Sequence, residues 1–152
     1  MVSRLLSSSI SLSMQQFAHR FTLRTNGQNL YEFTDTLERW VMETGIRRGL
    51  LTLFVRHTSA SLLIQENADP DVRRDLLAFM RRFIPEGDPL YIHTLEGLDD
   101  MPAHVKSSLT ATSLSIPVED GRPVLGTWQG VYLFEHRRAP HTRQIAFHLI
   151  GQ

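Results

Sequence analysis

Hydrophobic residues recur along this chain with two periods, one typical of β-strands and one typical of α-helices. Between Gln16 and Thr25 they alternate with polar residues, which predicts a half-buried strand with His19 on its apolar face or at its rim. Residues 50–55 are almost continuously apolar, which predicts a strand covered on both faces. Four more stretches have strand character: residues 61–66, 114–118, 131–136 and 143–150.

Helical spacing appears in two segments that start and stop signals delimit. The first predicted helix has Asn29 or Thr34 as its cap and Gly45 as its end. Its apolar positions are Leu30, Phe33, Leu37, Trp40 and Val41. The second predicted helix opens at Asp69-Pro70 and ends at Pro85, with its arginines on a solvated face. Its predicted core stripe is Val72, Leu76, Phe79, Met80 and Phe83.

Residues 97–108 concentrate candidate chemistry at the start of a third predicted helix. Asp99 or Asp100 is expected to cap this helix, because Pro102 suits a first helical turn. His104 lies at the edge of the predicted buried face. Its imidazole either binds a metal or moves a proton, or it is a histidine satisfied within the fold.

His57 is a second candidate, because it continues the inward-facing parity of the strand that precedes it. It is interpreted either as a ligand or base at the end of the sheet, with Glu66 and Asn67 nearby, or as a histidine bonded to a loop carbonyl. His93 lies in a short extended segment and could fold back to His104, although spacing alone does not show this.

Length and composition narrow the class of protein. The 152 residues suffice for one domain with a hydrophobic core. Lysine plus arginine equal aspartate plus glutamate at 16 each, which argues against a dedicated nucleic-acid binder. The sequence has no cysteine, so a transition-metal site must use His, Asp and Glu. It contains no Walker loop, dinucleotide fingerprint, HExxH motif or nucleophile elbow.

The N-terminal residues 1–13 form a serine-rich extension that we exclude from the fold. They lack the apolar run and cleavage site of a secretory signal, and no run reaches the ~18 apolar residues of a membrane span. We therefore expect a cytoplasmic protein with no membrane partner.

Several ordered motifs point together to one family. They are His57-Thr58-Ser59-Ala60, Glu66-Asn67-Ala68-Asp69-Pro70, His93, Asp99-Asp100-Met101-Pro102-Ala103-His104, Gly126-Thr127-Trp128-Gln129-Gly130 and Glu135-His136-Arg137. With this set the chain resembles the YjbQ family, which is widely labelled secondary thiamine-phosphate synthase, from about Met14 to Gly151. The resemblance implies a compact α+β domain over residues 14–152, with a mainly antiparallel sheet assembly and about three helices. It also implies a homotrimer with pockets near the subunit boundaries.

The resemblance further implies a site that holds a divalent metal ion, of the zinc or magnesium class. Its metal ligands would be His57, His93 and His104, with His136 ranked lower. Its catalytic residues would be His57, His104, Asp100 and Glu66. The residues that bind substrate would be Asn67, Lys106, Ser107, Trp128, Gln129, Arg137 and Arg143. Trp128 has the alternative interpretation of a core residue, and the arginines that of hairpin charges.

The implied reaction joins hydroxymethylpyrimidine diphosphate to a thiazole phosphate and releases pyrophosphate, as either the main or a secondary activity. It requires a cation on the departing diphosphate and exclusion of water. Two alternatives stay open: a metal-assisted hydrolase of a phosphorylated metabolite, and a non-catalytic trimer that binds a metal or ligand. In each case the expected partner is a small molecule and not a nucleic acid.

Overall fold

The computed structural model describes residues 13–152, which form eight strands and three helices. The strands are β1 (Gln15–Asn26), β2 (Asn29–Glu32), β3 (Gly49–Val55), β4 (Ala60–Glu66), β5 (Ser113–Glu119), β6 (Arg122–Pro123), β7 (Gln129–Glu135) and β8 (Pro140–Gly151). The helices are α1 (Thr34–Thr44), α2 (Pro70–Phe83) and α3 (Asp100–Leu109).

The strands form two antiparallel sheets, which confirms the α+β class. One sheet has five strands in the order β1-β8-β3-β5-β6, and the other has three in the order β2-β7-β4. Every strand pair is antiparallel. Buried residues of both sheets and of α1 share one hydrophobic cluster, which includes Leu37, Leu51, Leu133 and Phe147. The sheets are therefore held together by burial of their facing apolar sides.

The prediction that residues 50–55 are covered on both faces is wrong for the isolated chain. Leu51, Leu53 and Val55 are at most 1% exposed, whereas Leu50 and Phe54 are 44% and 49% exposed. The strand alternates in burial although its sequence does not alternate in polarity, because only one face of the five-stranded sheet meets the core.

The start of the first predicted helix also needs correction. Leu30 belongs to β2, which pairs with β7, and α1 begins only at Thr34. Asn29 therefore caps no helix, and the hydroxyl of Thr34 hydrogen-bonds the Glu32 carboxylate. The end is as predicted, since Gly45 has a φ of 74°, a conformation that favours glycine.

Helix α2 has the predicted cap but not the predicted core stripe. Asp69 accepts a hydrogen bond from the backbone N–H of Asp71 at 2.9 Å. None of the helix residues is fully buried, and Phe79 and Phe83 are 47% and 62% exposed. The apolar side of α2 is therefore left largely open in the isolated chain.

No helix within residues 13–152 is long and apolar enough to cross a membrane. Residues 1–12, which are nearly all of the predicted extension, lie outside the described part of the chain. The cytoplasmic location stays a prediction.

Candidate functional site

Helix α3 is anchored against the start of β4 by two contacts to backbone carbonyls. The hydroxyl of Ser107 donates a hydrogen bond to the Ala60 carbonyl at 3.3 Å. Nδ1 of His104 lies 2.9 Å from the Thr58 carbonyl oxygen. Because a carbonyl only accepts, Nδ1 carries the proton there, and the ring is turned so that Nε2 points away from β4.

Two imidazoles converge on the carboxylate of Asp100, which is only 1% exposed. Nε2 of His93 lies 2.6 Å from Oδ2 of Asp100, and Nε2 of His104 lies 3.1 Å from the same oxygen. His104 is one helical turn after Asp100, whereas His93 comes from the loop that precedes α3. The structure thus brings together three of the residues that the sequence singled out.

An arginine holds the other side of the same carboxylate. Nη1 of Arg137 lies 2.5 Å from Oδ1 of Asp100, and its Nε donates to Asp99 at 3.0 Å. The backbone N–H of Arg138 donates to the same Asp99 oxygen at 2.9 Å. The resemblance implies a substrate contact for Arg137, whereas in this structure its guanidinium orients the two aspartates.

The surroundings of Asp100 keep it ionised. Burial alone would raise its pKa, but hydrogen bonding from His93 and the positive charges of Arg137 and His104 hold the pKa below its usual value of 3.8. A carboxylate that remains charged in a buried position is available as an anionic ligand at neutral pH.

This cluster has the donor chemistry of a metal centre. His93, Asp100 and His104 each offer one ligand atom, and these atoms lie within 4.8 Å of one another. Two imidazole nitrogens and one carboxylate oxygen suit zinc and other first-row divalent ions. The Thr58 carbonyl and Arg137 supply the outer contacts that fix ligand orientation in metal sites. The residues therefore fit the implied divalent metal, with Asp100 in the place expected of His57.

His57 lies apart from this cluster, at β8. Its Nε2 accepts a hydrogen bond from the backbone N–H of Gln144 at 2.8 Å. Burial, followed by the charge of Arg143, lowers its pKa from 6.5. The sequence left open a ligand or a histidine bonded to the backbone, and in this chain His57 has the second kind of contact, although to an N–H.

Arg143 is enclosed in a buried ion pair. It is 3% exposed and contacts both carboxylate oxygens of Glu135, at 2.7 and 2.5 Å. The hydroxyls of Thr25 and Ser59 complete the group: the first donates to Glu135, and the second accepts from Arg143. The Arg143 guanidinium is therefore bound to groups in the interior of the domain.

Four predicted residues lie together at the far end of the three-stranded sheet. Glu66 pairs with Gln129 in the β4–β7 ladder, and the Asn67 N–H donates to the Trp128 carbonyl. Trp128 is 63% exposed, so it is not a core residue. The seven residues of β4 separate this end from Ala60 by roughly 20 Å. These four residues are therefore remote from the His–Asp cluster within one chain.

Lys106 and His136 line a small cavity next to α2, apart from the two groups described above. His136 is 1% exposed, its Nε2 lies 2.9 Å from the Ser61 hydroxyl, and burial lowers its pKa to about 3. Burial also lowers the pKa of Lys106. His136 lies outside the His93–Asp100–His104 group.

Three groups that hold the His–Asp cluster or the buried Arg143 ion pair are not identified by the sequence motifs. Asp99 was seen only as a cap, yet it holds Arg137 and Arg138. The Thr58 carbonyl carries no side-chain signal, so only tertiary contact reveals it. Glu135 lies in the Glu135-His136-Arg137 motif. Its position in a predicted strand beside two basic residues is the sequence feature that could have indicated an ion pair.

The comparisons with known proteins agree with this fold. The family model described as "UPF0047 protein YjbQ-like" matches residues 19–152. The UPF0047 protein sll1880 of Synechocystis is 49% identical over 144 residues, covering 95% of this chain and 98% of that protein. The UPF0047 protein YjbQ of Escherichia coli O157:H7 is 42% identical over 132 residues, covering 86% and 95%. The chain therefore belongs to the YjbQ/UPF0047 family.

Solved structures show the same architecture. A YjbQ-like protein of unknown function from Sulfolobus solfataricus superimposes with a TM-score of 0.84 at 26% identity, covering 92% of this chain and 100% of that one. A YjbQ/UPF0047 protein from Clostridium acetobutylicum gives 0.78 at 38% identity, covering 87% and 98%. The descriptions of these four relatives give no activity, so thiamine-phosphate synthesis stays a prediction.

Proposed function

We propose that this protein is a divalent-metal-dependent enzyme that removes a phosphate-bearing leaving group from a small molecule. The observation that carries the proposal is the convergence of His93, Asp100 and His104 within 4.8 Å. When bound, a divalent ion supplies Lewis-acid stabilisation of negative charge on a departing phosphate or diphosphate. Three protein ligands leave coordination positions open, which is typical of catalytic and not of structural metal sites.

The chain's own residues prepare this centre. The Thr58 carbonyl binds Nδ1 of His104, which directs Nε2 towards Asp100. Arg137 binds Oδ1 of Asp100, which leaves Oδ2 facing the two imidazoles. In the single chain the side chains of His93 and His104 are 42% and 32% exposed, so the cluster opens at the surface of the chain.

In the single chain, the space beside the cluster favours a hydrolase over the coupling of two rings. A cavity of about 210 Å³ adjoins His93 and is lined in part by Tyr91, Leu98 and Met101. Drug-sized ligands usually occupy pockets of about 300–1,000 Å³. One ring with a phosphate suits the smaller volume, whereas hydroxymethylpyrimidine and thiazole together need more. We therefore favour metal-assisted hydrolysis of a phosphorylated metabolite over thiamine-phosphate synthesis.

Product analysis with metal-loaded protein tests the proposal. Hydroxymethylpyrimidine diphosphate is supplied alone, and then with thiazole phosphate, while p-nitrophenyl phosphate serves as a general phosphomonoester. The hydrolase predicts phosphate release from a single substrate, with loss of turnover in His104→Ala. Thiamine phosphate formed only from the pair would instead establish the transferase. Stoichiometric metal without turnover on any of the three would assign a binding protein and overturn the proposal.

We also propose that the chain assembles as a homotrimer. The loop between α2 and α3 exposes Leu90, Ile92 and Leu95 by 85%, 98% and 99%, next to the largely open α2. Large contiguous apolar patches usually mark interaction surfaces. Light scattering should give about three times 17.4 kDa, and the pair Ile92→Asp/Leu95→Asp should shift the mass towards one chain.

The control for this assembly is Met42→Asp, which adds one carboxylate, against two in the test variant, at a half-exposed position of α1. It should leave the mass unchanged. A wild-type protein that is monomeric at micromolar concentration would contradict the trimer.

A further inference from the structure

A larger cavity of about 440 Å³ is lined by Lys106, which follows His104 by two residues on α3 and so lies on the opposite side of that helix. Its lining combines basic residues from three parts of the chain, Arg81 of α2, Lys106 of α3 and Arg138 after β7, with Gln28, Glu86 and the apolar Ile84 and Pro85. None of the three candidate metal ligands lines it. The cavity is therefore a separate feature, within the usual volume range of small-molecule pockets.

The charges around this cavity do not balance. Glu86 is its single carboxylate, and it already accepts from Nε of Arg138 at 3.1 Å and from the Gln28 amide at 3.0 Å. That pairing neutralises Arg138. Within residues 13–152, neither Arg81 nor Lys106 has an ion pair. Two positive charges thus border the cavity without an ion pair of their own, and Glu86, which is paired with Arg138, acts on Lys106 only from a longer distance.

Lys106 is the strongest sign that the cavity is built for a ligand. It is the only lysine of the sequence, and it is only 3% exposed. No side-chain hydrogen bond of Lys106 occurs in the described part of the chain, and the carboxylates that act on it, Glu86 and Asp99, lie beyond ion-pair distance and are paired with arginines. Charged groups are rarely buried unless they are paired, because losing water costs free energy. A bound anion would supply the missing partner.

We propose that this cavity is an anion site that binds a phosphate group through the Lys106 ammonium and the Arg81 guanidinium. Both groups are established phosphate binders, the first as a point charge and the second as a fork of donors. Ile84 and Pro85 form an apolar wall for the remainder of a phosphorylated metabolite. The site does not depend on a metal, so phosphate binding here is tested independently of the metal centre proposed above.

Binding is measured on full-length, EDTA-treated protein with two probes, inorganic phosphate and phenyl phosphate, at ionic strength held constant with sodium chloride. Because Lys106 is the only lysine, ¹⁵N-lysine labelling yields a single backbone amide signal, which reports on α3 directly. We expect this signal to shift saturably with either probe. Tighter binding of phenyl phosphate identifies a phosphorylated metabolite as the ligand, whereas equal affinity identifies free phosphate.

Two variants test the residues, with calorimetry as the readout. Lys106→Met and Arg81→Gln should each weaken phosphate binding by about 10-fold or more, since each removes a charged hydrogen-bond donor. The control Arg47→Gln alters an exposed arginine paired with Asp120 and should bind like the wild type. If Lys106→Met fails to fold, the measurements on Arg81→Gln and on the labelled wild type still test the proposal. An amide signal that does not move, or equal affinity in the wild type and Arg81→Gln, would overturn the proposal.

Discussion

Replacing Asp100 by asparagine is expected to lower the affinity for zinc by about 100-fold or more while the chain still folds. The variant keeps the shape of the side chain but removes the charge on which both Nε2 atoms converge. Replacing outer contacts of a metal site already costs about 10–100-fold, so loss of a direct ligand should cost at least as much. Calorimetric titration and the metal content after dialysis measure the effect without any assay of turnover.

Asp99→Asn is the matched control, because it makes the same chemical change one residue earlier. Asp99 contacts Arg137 and the Arg138 N–H but offers no atom to the cluster. It also makes no side-chain cap bond, so its replacement removes no cap of α3. We expect Asp99→Asn to bind zinc within a few-fold of the wild type. Equal losses in the two variants would mean that the cluster is not the metal centre.

Arg143→Met is expected to destabilise the protein by about 3–5 kcal/mol, the usual cost of removing one partner from a buried ion pair. Glu135 is 0% exposed and would be left with a buried charge that Thr25 and one backbone N–H satisfy only in part. Urea unfolding at pH 7 and fixed protein concentration measures the loss. The control Arg47→Met breaks an exposed pair with Asp120 and should cost at most about 1 kcal/mol.

The loss of stability in Arg143→Met is expected to depend on pH. Burial tends to raise the pKa of Glu135, but hydrogen bonds from Arg143 and Thr25 outweigh this and hold it below 4.5. Because the folded-state pKa is depressed, the stabilisation is present above about pH 4.5 and is lost as the pH falls through the folded value. The difference in stability between wild type and Arg143→Met should therefore narrow on acidification. A constant difference from pH 7 to pH 4 would show that the ion pair is not its cause.

Periodicity in the sequence located most strands and all three helices, because each depends on local alternation or on caps such as Asp69 and Gly45. It failed at Leu30, which fits a helical period but pairs with β7, and at β3, which is apolar throughout but buried on one side. In both cases a distant strand decides the outcome, and a local window contains no information about that strand.

The sequence by itself determined the family and the concentration of chemistry at residues 97–108, because motifs are properties of neighbouring residues. The fold class followed from the family resemblance. Only the tertiary structure decided that Asp100 accompanies His93 and His104, and that Arg143 faces Glu135 inside the domain. It also decided that Lys106 borders a cavity without an ion pair of its own. These relations join residues of different elements, and their geometry follows from how the sheets and α3 pack.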